Sequence, residues 1–141
     1  MPLKTEIPTK KNNMLFIVGL IAATLIIIYA LISFELVRRS KRDYTEGEKY
    51  FDFYKNPDKK KVYYDEKLAK KQITEAEYAM LLEDSALKNA LVWYETVVDL
   101  YAPPENKWIT LSRERLKEVR PLYTAWAETL KSQALPPVKK K

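Results

Sequence analysis

Residues 14–34, MLFIVGLIAATLIIIYALISF, carry no charge, and only Gly19, Thr24, Tyr29 and Ser33 interrupt their apolar character. As a helix the run covers roughly 30 Å, the thickness of a bilayer's hydrocarbon core. Lys10 and Lys11 border it on one side, and Arg38, Arg39, Lys41 and Arg42 on the other. This pattern predicts one membrane-spanning helix over residues 14–37. A cleavable signal sequence fits less well, because the run is too long and RRSKR follows it.

The flanks suggest an orientation. Lys4, Lys10 and Lys11 precede the run, whereas Arg38, Arg39, Lys41, Arg42, Lys49 and Lys55 follow it closely. The excess of Lys and Arg places the C-terminal part in the cytoplasm. Within the run, Gly19, Ala23, Ile26, Ala30 and Ser33 recur at helical spacing, so Gly19, Ala23, Ala30 and Ser33 form a face that a second membrane helix could approach. Glu35, three and four residues before Arg38 and Arg39, reads as an interfacial ion pair.

Composition removes several chemistries. With no Cys and no His there is no disulfide, no thiolate nucleophile, no imidazole base and no Cys or His metal ligand. Two glycines, Gly19 and Gly47, cannot build a glycine-rich phosphate loop. The acid pairs Asp65-Glu66 and Glu83-Asp84 are sequence neighbours, which do not converge on a helix. No catalytic residue, cofactor site or metal site is therefore expected, and no small-molecule substrate.

The net charge of +6 is unevenly spread: residues 37–61 hold nine basic and five acidic side chains, residues 62–130 nine and twelve, and residues 131–141 four more lysines. Positive charge beside an apolar run points to anionic lipid headgroups at Arg38, Arg39, Lys41 and Arg42, not to nucleic acid.

Along the chain, residues 1–13 read as a disordered tail, 38–64 as a basic, aromatic-rich juxtamembrane segment, 65–132 as a helical domain, and 133–141 as a disordered basic tail. Thr45 and Glu48 have the spacing of a capping box for a short helix to about Lys55, and Asn56-Pro57-Asp58-Lys59 that of a type I turn. Thr74 and Glu77 form a second capping box, which starts a helix at Glu75. The pattern Leu68…Ile73-Thr74-x-x-Glu77-Tyr78 resembles the short bacterial helix pairs called SHOCT domains, which would imply oligomerisation. It lacks their glycine before Ile-Thr, and a capping box alone produces it.

From Ala86 to Tyr101 apolar residues cover about half of a helical wheel, and Pro103-Pro104 ends the pattern. So wide an arc suggests a partner interface including Trp93, Tyr94, Leu100 and Tyr101. Ser112 is the expected cap of a last helix to about Ser132, with a narrow stripe of Leu116, Val119, Tyr123, Trp126 and Leu130. Trp126 is expected in the core and Trp93 at the edge of the exposed arc. Pro121 either bends this helix or begins a separate one. The Trp93 and Trp126 neighbourhoods are similar at a spacing of 33 residues, which chance matching of two amphipathic helices explains.

The expected fold is all-α: one N-terminal transmembrane helix, then a small helical domain of the hairpin or bundle kind. The expected role is a membrane-anchored protein-interaction module, an accessory subunit, adaptor or assembly factor. The second reading is a membrane-surface protein acting through its basic collar and amphipathic helices.

Overall fold

A computed structural model describes residues 10–134, and the side chains of 14–133. The expectations for residues 1–9 and 135–141 lie outside the described residues. Five helices and no strand occur among the described residues: α1 Lys10–Lys55, α2 Pro57–Ala69, α3 Glu75–Glu83, α4 Ala86–Tyr101 and α5 Lys107–Ala134. The chain is all-helical, with four helices after the apolar one. It divides into two units, Met1–Leu36 and Val37–Lys141.

In the first unit, every side chain from 14 to 34 is exposed except half-buried Ser33. A helix this apolar with no buried face is not the core helix of a soluble domain, and it is a candidate membrane span. Its polar side chains are accommodated locally: the Thr24 hydroxyl donates to the Leu20 carbonyl at 2.9 Å. Residues 10–13, expected in the disordered tail, are already helical.

The second unit begins inside α1. The sequence suggested a separate helix start at Thr45, but α1 runs through it unbroken. The Thr45 hydroxyl donates back to the Lys41 carbonyl instead of capping, and Glu48 is engaged elsewhere. Residues 37–55 are therefore part of the helical domain, which does not start at residue 65. Pro57 ends α1: it lacks an N–H, and it forces Asn56 out of the helical region, to φ −133° and ψ 81°. The expected turn is present, with Lys59 N donating to the Asn56 carbonyl, but it is the first turn of α2.

Three helices share one core. Phe51 from α1, Leu87, Ala90 and Tyr94 from α4, and Leu116 and Val119 from α5 are buried together. Cross-helix bonds fix the directions. Asp43 meets Tyr101 and Glu48 meets Tyr94, so α4 runs antiparallel to α1. Ser40 meets Asn106, Glu48 meets Arg115 and Lys55 meets Glu118, so α5 runs alongside α1 in the same sense.

The α4 boundaries agree with expectation, with Ser85 as the side-chain cap. The start of α5 does not. Asn106 Oδ1 accepts from the N–H groups of Trp108 and Ile109 at 3.0 and 3.4 Å. Ser112 lies a turn further on, fully buried, and caps nothing. Pro121 lies inside α5, on its exposed side, where water can take the carbonyl bond that proline cannot make.

α2 and α3 form a smaller pair. α2 ends with Lys71 at φ 53°, Lys71 N bonded to Leu68 O and Gln72 N to Lys67 O, a Schellman closure built on a non-glycine residue. The Thr74–Glu77 capping box then starts α3 as expected, with Thr74 N donating to Glu77 at 2.8 Å. Lys60 reaches from α2 to the far end of α3, where its ammonium donates to the carbonyls of Leu82 and Asp84 at 2.9 and 2.6 Å. Burial pushes its pKa down, with Asp84 opposing.

Gly47 marks a close approach of α1 and α4. A Cβ there would lie 2.7 Å from Cε1 and 2.9 Å from Cδ1 of Tyr94, whose ring is fully buried. Gly→Ala in a helix normally stabilises by up to about 1 kcal/mol. Here overpacking against a trapped ring, typically about 1–3 kcal/mol, outweighs that gain. Gly47→Ala should lower the thermal midpoint of the detergent-solubilised protein; a raised midpoint would contradict this packing.

Candidate functional site

At the heart of the three-helix unit, Glu48 collects donors from two other helices. Arg115 grips it with two bonds, Nε to Oε1 at 2.7 Å and an Nη to Oε2 at 3.0 Å, while the Tyr94 hydroxyl donates to Oε1 at 2.7 Å. Arg115 continues to Glu118 at 3.2 Å, which Lys55 also contacts at 3.3 Å. Burial pushes the Glu48 pKa up, but the bonds from Arg115, Tyr94 and Tyr44 outweigh it and the carboxyl is held low. Tyr94 is pushed the other way, first by burial and then by Glu48. Three of the roughly four acceptor positions of this carboxylate are taken by donors of the fold itself, which makes the cluster a structural tie between helices.

Open surface lies elsewhere. The last core residue of α5 is Val119, with Tyr123 packed at its edge. Beyond it the helix continues to Ala134 with Leu122 and Trp126 each 37% exposed and Leu130 44% exposed. The Tyr123 and Trp126 rings lie 5.6 Å apart. Nearer the start of α5, α4 and α5 form a groove of about 580 Å³ with Val98, Leu116 and Pro121 as apolar lining and Arg113, Lys117 and Arg120 as basic lining. Arg113 is bonded to Glu105 and Arg120 to Glu95.

The expected partner residues on α4 are mostly committed internally. Tyr94 is fully buried, a correction that follows from the Gly47 slot. Tyr101 is half-buried and donates to Asp43 at 2.5 Å; Trp93 is half-buried; Leu100 remains open, at 67% exposure. Trp126, expected in the core, is on the open stripe instead, because it lies past the last core residue.

Of the basic collar, Arg38, Arg39, Lys41 and Arg42 are all exposed. Arg42 donates to Asp43 at 2.8 Å, and neither Arg39 nor Glu35 is free. Gly19, Ala23 and Ala30 are exposed and Ser33 is half-buried. The aromatics of 44–64 pack largely on one another: Phe53 lies 5.3 Å from Tyr63 and 6.1 Å from Tyr64. Sequence reasoning missed Gly47, Glu48 and Arg115. A lone glycine in a helical run is the one local sign of a close approach.

No family model, curated protein or solved structure matches the chain.

The Glu48 tie sets a pH dependence. Its folded pKa is depressed, so its stabilisation is present above the ordinary glutamate value and is lost as pH falls through the lower folded value. Glu48→Gln should cost about 1–3 kcal/mol at neutral pH. It should also flatten the fall in stability between about pH 5 and 3. Denaturant titrations at several pH values check both; an unchanged slope would remove Glu48 as the acid-sensitive group.

Proposed function

We propose that the chain is a single-pass membrane-anchored docking module, an accessory subunit, adaptor or assembly factor without catalytic activity of its own, whose C-terminal domain lies in the cytoplasm. The observation that carries the docking role is the apolar stripe of α5, which runs on past the core and leaves Leu122, Trp126 and Leu130 open. Trp and Tyr dominate binding hot spots because they bury a large rigid area at low entropic cost. The anchoring role is supported by the uncharged stretch 14–34 of α1, which is exposed throughout except for half-buried Ser33.

The two parts are testable separately. A reporter active only outside the cytoplasm, fused after Lys141, should stay silent, as the flanking Lys and Arg imply. Activity would place the domain outside.

For docking, Trp126→Ala with Leu130→Ala should leave the helical signal intact, since both side chains are already partly open. Crosslinking of the full chain to its partner in native membranes should fall by a factor of about 30 or more, the loss of a hot spot. Val92→Ala, exposed on α4, is the control and should retain the crosslink. Equal crosslinking by all three proteins would place the interface elsewhere.

A further inference from the structure

The α4–α5 connection returns to the start of the second unit, and it brings a side chain that the basic collar lacks. Trp108, in the first turn of α5, has two lysines from different helices near its ring: Lys41 Nζ is 5.7 Å from the ring centroid and Lys107 Nζ is 5.5 Å away. The ring also packs against Tyr44, centroid to centroid 5.5 Å and tilted by 42°. Nearby acids do not neutralise the lysines. Asp43 is buried and satisfied by Arg42 and Tyr101, and Glu105 is bonded to Arg113. Both lysines are exposed, while Trp108 is half-buried.

Two ammonium groups around one ring repel each other, and an anion shared between them relieves that repulsion. The indole supplies what a soluble anion does not need: a flat amphipathic surface of the kind that settles at the headgroup level of a bilayer. Lys41 follows Phe34, the last residue of the apolar run, by seven positions. A tether of that length keeps it within roughly 25 Å of the run however the two units are arranged.

We propose that Lys41, Lys107 and Trp108 form a composite site for the phosphate of an anionic lipid headgroup, with Trp108 seated at the membrane interface. The site joins residues far apart in sequence, so it exists only when the three-helix unit is folded. It rests on the membrane-anchored reading but is independent of any protein partner.

The test uses the full chain with Trp93→Phe and Trp126→Phe, which leaves Trp108 as the only tryptophan of three. It is reconstituted into phosphatidylcholine vesicles containing phosphatidylglycerol, with one lipid or the other brominated at equal mole fraction. Brominated phosphatidylglycerol should quench Trp108 at least about twofold more strongly than brominated phosphatidylcholine, because each lysine enriches anionic lipid beside it. Lys41→Gln with Lys107→Gln should erase the difference, as should high salt. Equal quenching by both lipids, or none by either, overturns the site while vesicle flotation still reports an anchored chain. Failure to float overturns the anchor itself, and the site with it.

Discussion

Tyr94 lying against Gly47 is the contact on which the second unit depends. The ring occupies a slot that a single methyl would close, so it sets the separation of α1 and α4. Its hydroxyl reaches Glu48, the next residue of α1, and Glu48 in turn holds Arg115 of α5. One buried side chain thus fixes the apolar distance and the polar register of three helices together. The apolar neighbours Leu87, Ala90, Val97 and Val119 would tolerate several helix rotations; the hydroxyl of a trapped ring tolerates few.

Local signals were legible because nothing distant competes with them. The apolar run, the Thr74–Glu77 box and the Ala86-to-Tyr101 extent of α4 are each decided within a few residues. The Thr45–Glu48 pair looks the same in sequence as Thr74–Glu77 and behaves differently. Glu48 gains two charged bonds from a residue 67 positions away, which no local pattern encodes. Ser112 and Asn106 are both good caps by type. Asn106 takes the role because Ser112 lies on the face of α5 that the core covers. The start of the domain is hidden from local pattern for the same reason: residues 38–55 are charged and aromatic, and their apolar face is recognisable only beside α4 and α5.

The basic collar also reads differently once folded. As a list of cations, Arg38, Arg39, Lys41 and Arg42 look equivalent. In the structure Arg42 helps satisfy buried Asp43, which is itself the acceptor for Tyr101 and so part of the α1–α4 joint. Lys41 instead faces the Trp108 ring. Charge that appears to be directed only at lipid is divided between holding the domain together and presenting a surface.

A helical wheel reports which side of a helix is apolar, but not how far along that side a neighbour extends. This is why Trp126 was placed in the core. α4 is limited to sixteen residues by its cap and by the prolines that follow, whereas α5 continues for twenty-eight. The extra length, about three turns, carries the same apolar stripe. A stripe that served only the domain's own core would become polar after Tyr123. Trp126 and Leu130 keep it apolar where it is partly open to solvent, which is the property the proposed docking role rests on.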